Sequence, residues 1–297
     1  MIQQIKKTIN FINAHPIASK HKLKAYFQFV FWQFSQLIFP KSKIIDFVKP
    51  TKLLVSKGMT GATGNIYSGL HEFFDMGFLL HFLRADDLFF DIGANVGTYT
   101  VLAAGVNKAR VVSFEPVPST FNSLNNNIKL NRLESLVSLN NIGIGAGKSV
   151  MKFTSQHDTV NHVLAKGEFS ENVLEIQVES IDELIKIHGC PALIKIDVEG
   201  FETEVINGMD LTLKDLQLKV IIIELNGSGS RYDYDESLIH KKLLESAFYP
   251  FEYLPYSREL IKLNSYGNLN TIYIRDIEFA TNRVSQASFF EVFNEKI

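Results

Sequence analysis

Leu88-Phe89-Phe90-Asp91-Ile92-Gly93-Ala94-Asn95-Val96-Gly97-Thr98-Tyr99-Thr100 reads as a buried strand, a tight turn between two glycines, and the start of a helix. The apolar and aromatic run over residues 88–92 suits a central parallel strand covered on both faces. Asp91 falls near its carboxyl end. Gly93 permits backbone angles that other residues avoid, and it lets a ligand approach the main chain. Gly97 lets the next helix, predicted over 98–106, pack closely on the sheet. The positive N-terminal end of that helix points into the turn. Sheets of this kind bind ligands at the carboxyl ends of their strands, so the ligand is expected here.

The fingerprint for a dinucleotide is G-x-G-x-x-G, whose second glycine admits the pyrophosphate. In this chain that position is Asn95, and the pattern becomes D-x-G-x-x-x-G. The next apolar run, 110–115, ends in Glu115. An acid there suits the two hydroxyls of an adenosine ribose, which NAD and S-adenosylmethionine both carry. Replacement of the middle glycine favours S-adenosylmethionine, the ligand without a pyrophosphate. The competing readings are an NAD-dependent sugar oxidoreductase and a non-catalytic binding protein that keeps the same fold.

From residue 88 onward strands and helices alternate, which implies right-handed crossovers and a mostly parallel sheet. A helix near 118–131, with Pro118 in its first turn, is followed by strands at 136–141, 193–197 and 219–225. Shorter strands at 150–154 and 173–178 flank a long loop. Runs at 250–254, 260–262 and 270–275 supply antiparallel edge strands. Upstream, 70–84 has the spacing of an amphipathic helix, with Tyr67 and Glu72 near its start. Residues 57–65 read as loops or a small hairpin.

Composition narrows the class. Of 297 residues, 46% are hydrophobic, ample for a core, and the net charge of −2 gives no reason to expect a nucleic-acid partner. A single cysteine, Cys190, cannot form a disulfide within the chain and suits a reducing, cytoplasmic setting. The charge is uneven. Residues 1–60 hold ten lysines and one acid, Asp46, for a net +9, so the remainder carries −11. We therefore separate a basic, aromatic, helical N-terminal appendage, 1–60, from a main domain, 61–297. The uncharged stretch 25–39 is too short and too polar to span a bilayer, and no small-residue cleavage site follows it. Two readings stay open for it. One is a helix lying on the inner face of the membrane, with peripheral contact through residues 20–45. The other is a helix that packs on the main domain or on a second copy in a homo-oligomer.

The order of motifs from about residue 65 to 275 resembles the FkbM family of class I methyltransferases. The resemblance is carried by Asn65-Ile66-Tyr67-Ser68-Gly69-Leu70-His71-Glu72, by Phe90-Asp91-Ile92-Gly93-Ala94-Asn95-Val96-Gly97, and by Phe114-Glu115-Pro116. Asn161-His162-Val163 and Ile194-Lys195-Ile196-Asp197-Val198-Glu199-Gly200 complete it. It implies an α/β, Rossmann-like fold with a mostly parallel seven-stranded sheet flanked by helices. It also implies methyl transfer from S-adenosylmethionine to a hydroxyl on a small molecule or glycan, in polysaccharide pathways.

By that resemblance the cofactor residues are Asp91, Gly93, Asn95, Gly97, Glu115, Pro116, Asn141 and Ile142. Gly93, Asn95 and the turn amides would face the methionine part, Glu115 the ribose, and Asn141 with Ile142 the adenine. The glycine-rich run 141–147 departs from the family pattern at the adenine end. Asp197 and Glu199 are the expected catalytic carboxylates, assisted by His162, whose ordinary pKa is near neutrality. Lys195 is a candidate structural partner of Glu224. No C-x-x-C or Cys/His cluster suggests zinc, and no metal ligand is assigned, although Asp197, Glu224 and Asn226 would offer oxygen ligands suited to magnesium.

Overall fold

The computed structural model describes residues 2–154, 162–165, 168–170 and 172–297. Helices α1 (Ile2–Ala14) and α2 (Lys22–Ile38) come first, followed by a hairpin of β1 (Lys43–Asp46) and β2 (Lys52–Val55). Helices α3 (Thr60–Ser68) and α4 (Phe73–Phe82) lead into β3 (Leu88–Ile92). Next come α5 (Thr98–Val101), a π-helical turn over Leu102–Val106, β4 (Arg110–Phe114), α6 (Pro118–Leu130) and β5 (Val137–Asn140). A small sheet joins β6 (Gly143–Ile144), β7 (Ser149–Thr154) and β8 (Val173–Glu179). The chain continues through α7 (Ile181–His188), β9 (Leu193–Ile196), α8 (Glu202–Asn207), β10 (Val220–Glu224) and α9 (Glu236–Glu245). It finishes with β11 (Tyr249–Leu254), β12 (Glu259–Lys262), β13 (Asn270–Ile274), α10 (Ile277–Ser285), and the hairpin of β14 (Glu291–Val292) and β15 (Glu295–Lys296).

The main sheet has the order β12-β11-β13-β10-β9-β3-β4-β5. From β5 to β10 the strands run parallel, whereas β13, β11 and β12 join antiparallel. This is a Rossmann-like doubly wound sheet. It has eight strands rather than the expected seven, because β12 pairs with β11 at the far edge. Strand alternation fills both faces. Phe89 and Ile222 enter one core, while Phe90, Ile92, Ile221 and Ile223 enter the core on the opposite face. The chain leaves β3 toward β4 and β5, then returns to β9 and β10 on the other side. The carboxyl ends of β3 and β9 are therefore the place where the winding reverses and a crevice opens.

Two local expectations are corrected. Residues 57–65 are not a hairpin, because α3 occupies Thr60–Ser68. Glycine lowers helix propensity, but Gly64 is needed where α3 passes His71: a β-carbon there would collide with the imidazole. The helix predicted over 70–84 is shorter, Phe73–Phe82, because Gly69 ends α3 in a left-handed conformation before α4 begins.

The first sixty residues share the main core. Ile12, Ile17, Ala25, Phe29 and Trp32 are buried in the same cluster as Phe89 and Leu102. His15 fixes the corner between α1 and α2. Its Nδ1 accepts from the amides of Ile17 and Ala18, both at 3.2 Å, which leaves Nε2 to donate to the Leu70 carbonyl at 2.7 Å. Burial pushes this imidazole down to about 4, so it is neutral at pH 7. Lys20 and His21 meet Glu295, at 3.1 and 2.7 Å.

Helix α2 thus has two unlike neighbours in sequence, Trp32 at 6% exposure and Phe31 at 60%. Trp32→Ala should destabilise the fold by about 3–5 kcal/mol, the usual cost of an aromatic cavity. Phe31→Ala should change stability by less than about 0.5 kcal/mol. Urea unfolding of the two variants checks this, and equal losses would disprove the one-sided burial.

Candidate active site

The crevice at the reversal point holds a cavity of about 300 Å³, adjoined by a smaller one of about 70 Å³. Its floor is the turn after β3. Gly93 is left-handed, and a β-carbon there would run into the carbonyl oxygen of Asp197. Glycine is thus required on two counts, torsion and contact. The amides of Gly93 and Ala94 both donate to the Phe114 carbonyl at 3.0 Å, and Asn95 follows in the left-handed region. Gly97 caps α5 and packs against Leu124, so it shapes the turn without lining the cavity.

Asp91 is buried beneath the turn and accepts from the Thr100 hydroxyl at 2.6 Å. It lines only the smaller cavity, and burial pushes its carboxyl up to about 6. Glu115 lies at the end of β4. One carboxylate oxygen accepts from the Asn95 amide at 3.0 Å, the other from the Val117 amide at 2.9 Å. Glu115 therefore ties the glycine turn to the β4–α6 connection. It also lines the cavity, and each oxygen keeps a lone pair for a hydroxyl donor. Burial outweighs those two amides and pushes Glu115 up to about 7.

Pro116 and Ile142 line the cavity, whereas Asn141 does not. Its side-chain amide donates to the carbonyls of Glu115 and Pro116, at 2.8 and 2.9 Å. Asn141 thus positions the residues that face the ligand. The glycine-rich run departs from the family pattern in sequence yet is regular in structure: Gly143–Ile144 is β6, and the Gly145 amide donates to Glu179 at 3.0 Å. The small sheet then forms an apolar wall from Ile142, Ile144, Phe153 and Val163.

Asp197 and Glu199 both line the cavity at the end of β9. Lys195 is 2% exposed, and its ammonium reaches Asp197 Oδ2 at 2.8 Å and lies 4.7 Å from the centre of the Tyr99 ring. The partner of Lys195 is therefore Asp197, not Glu224. Burial alone would push Lys195 down; the charges of Asp197, Glu72 and Asp91 together raise it instead, so it stays cationic. Glu199 sits in the left-handed region, and its carbonyl accepts from Arg231 at 3.1 Å. Burial and the charge of Asp197 push its carboxyl up to about 7.

His162 does not line the cavity. Its Nε2 lies 2.9 Å from Glu168 Oε1, and its neighbour Val163 lines the cavity. Asn161, from the same motif, lies outside the described residues. Among the described residues no group of three His, Cys, Asp or Glu side chains is arranged to hold a metal.

Several site residues escaped the sequence reading. Glu202 accepts from the amides of Val198 and Gly200 at 3.1 and 3.3 Å and so holds the loop that presents Glu199. Glu72 accepts from the Tyr99 hydroxyl at 2.6 Å and from Asn270 at 3.2 Å, and it lines both cavities. Phe153 and Phe201 add apolar surface. Only Glu72 carried a signal, its place in the motif before α4.

The donor set suits S-adenosylmethionine. Glu72, Glu115, Asp197, Glu199 and Glu224 face the larger cavity, with no lysine or arginine lining it among the described residues. Such a surface attracts a sulfonium and an ammonium, and it offers acceptors to ribose hydroxyls.

The chain is similar to known methyltransferases. The model of the methyltransferase FkbM domain matches residues 91–278. A hexuronic acid methyltransferase, AglP, of Haloferax volcanii is 30% identical over 169 residues, which cover 56% of this chain and 66% of that protein, just under two thirds. A protein named Methyltransferase 1 from Beauveria bassiana is 24% identical over 186 residues, 53% of this chain and 72% of that one. Among solved structures, a methyltransferase FkbM from Methylobacillus flagellatus aligns with a TM-score of 0.43 at 18% identity, over 65% of this chain and 44% of that chain. The family match takes in well over half of the sequence, and the chain belongs to the FkbM methyltransferase family, enzymes whose methyl donor is S-adenosylmethionine.

Proposed function

We propose that this methyltransferase acts on a hydroxyl of a sugar in a glycan or polysaccharide precursor, with Glu199 as the general base. The observation that carries this reading is the pair of carboxylates at the end of β9, held in unlike environments beside the Gly93 turn. Asp197 is committed to the Lys195 ammonium and serves as a fixed anion. Glu199, pushed up to about 7, is poised near working pH, where a base is most effective. The sugar class draws support from the relative named for hexuronic acid. The acidic lining favours a neutral hydroxyl over a carboxylate acceptor, so the product is an ether rather than an ester.

Bound S-adenosylmethionine supplies a methyl carbon activated by its sulfonium. Glu115 would hold the ribose hydroxyls, and Asp197 would hold the charged end over the end of β9. Glu199 would take the proton of the acceptor hydroxyl as its oxygen gains the methyl group and the sulfur–methyl bond breaks, leaving the donor as a neutral thioether. The wall of Ile144, Phe153 and Phe201 excludes water from the reacting atoms. The same assignment fits the cytoplasmic setting expected from the lone thiol.

Glu199→Gln should lower kcat by about a hundredfold or more while calorimetric affinity for S-adenosylmethionine is unchanged. In the wild type kcat should rise with pH through about 7, as Glu199 becomes ionised, and the variant should lose that limb. Near-normal turnover by the variant would remove Glu199 from the chemistry. Methyl groups released from the product sugar by mild alkali would reveal an ester and defeat the hydroxyl assignment.

A second outcome concerns protons. Glu115 is raised from 4.5 to about 7, so the folded chain holds a proton that the unfolded chain has already released. Its contribution to stability therefore falls as pH rises from about 5 to about 7. Hydroxyl donors and a nearby sulfonium favour the ionised form. The rise in melting temperature caused by S-adenosylmethionine should be larger above pH 7 than below it. A shift that shrinks with increasing pH would count against Glu115 as the ribose ligand.

A further inference from the structure

Helix α2 is apolar on two opposite faces, yet only one is covered. Its inner face places Ala25, Phe29 and Trp32 in the core, with the Phe29 ring 5.5 Å from Tyr67 of α3. Its outer face carries Leu23, Phe27, Phe31, Phe34 and Leu37, at the helical spacing of three and four, and Phe39 continues the row beyond the last turn. Each of these six side chains is at least 60% exposed. An aromatic row of this length on a chain surface marks a contact with something apolar. Leaving it in water costs far more than scattered surface hydrophobics do.

The charges around the row identify what it meets. Lys22 and Lys41 are exposed at its two ends, and the Lys43 ammonium sits 5.7 Å from the centre of the Phe31 ring. No acid occurs before Asp46. A second copy would suit this face poorly, because a two-fold contact lays the same lysines against each other. An anionic bilayer suits both features: its headgroups meet the lysine fringe and its acyl boundary takes the aromatic row. Among the described residues no helix is long and apolar enough to cross a membrane, so the contact is one of lying on the surface.

We propose that the outer face of α2 docks this chain on an anionic lipid bilayer, with the helix axis in the plane of the interface. The core registers the docked face to the active site, because α2 packs on α3 and Gly61 at the start of α3 lines the cavity. Docking through α2 thus holds the cavity at a fixed height above the lipid. The docking stands apart from the sugar assignment, since it requires no turnover to be observed.

The test is co-sedimentation of the full chain with vesicles of phosphatidylcholine alone and with an equal share of phosphatidylglycerol. We expect binding to the anionic vesicles that weakens with salt but keeps a salt-resistant part. Phe31→Asp combined with Phe34→Asp should lower the partition coefficient by about a hundredfold, roughly tenfold for each aromatic withdrawn from the interface. Lys22→Glu combined with Lys41→Glu should lower it by about tenfold or more at low salt. Both double variants should keep the wild-type helical signal and the melting shift caused by S-adenosylmethionine, as these residues line no part of the cavity. Absence of wild-type binding to anionic vesicles at low salt would overturn the proposal. So would binding that ignores the aromatic changes and vanishes in salt. A dimer by light scattering that the aromatic variant dissociates, in a protein that ignores vesicles, would assign the face to a second copy instead.

Discussion

The site depends on one close approach, that of Gly93 to the carbonyl of Asp197. It brings the turn after β3 against the end of β9, two strands that hydrogen-bond side by side but come from different halves of the winding. Any side chain at residue 93 would force those strand ends apart. The glycine turn and the carboxylates of Asp197 and Glu199 would then separate together. The shape of the turn and the placement of the two carboxylates are therefore one geometric fact. Glu115 and Glu202 complete the arrangement by taking the loop amides that no strand or helix satisfies.

Electrostatics follow from the same packing. Many carboxylates converge where the strand ends meet, and the Lys195 ammonium is buried beneath them. In the low dielectric of the crevice that excess is tolerated only because burial keeps some of the acids protonated near neutrality, Glu115 and Glu199 among them. A cationic donor relieves the excess. The resting site is thus a charge pattern complementary to its ligand, written in residues that also hold the loops.

Much of this was legible in the sequence because strands buried on both faces declare themselves. Residues 88–92 and 193–196 are runs of large apolar groups broken only by Asp91 and Lys195, and those exceptions mark the site. What escaped was of two kinds. Helix α3 was hidden because Gly64 serves a tertiary contact with His71, which local propensity does not encode. The place of Glu202, and the bonds of Asn141 to the Glu115 and Pro116 carbonyls, were hidden because their partners are backbone groups. His162 was legible for its chemistry but not for its partner, Glu168 at 2.9 Å. The N-terminal segment left two readings open because a helix apolar on both faces satisfies each. Only the placement of Trp32 inward and Phe31 outward separates the face that packs from the face that does not.

Glu199 holds a further consequence. Its backbone lies in the left-handed region that a residue with a β-carbon adopts at a cost, and the next residue, Gly200, is left-handed as well. The backbone at residue 199 would be more comfortable with glycine. The proposed role of Glu199 as the base needs a carboxylate there. Selection for thermal robustness alone would drift toward a glycine pair and a silent enzyme, so this one position sets durability and turnover against each other.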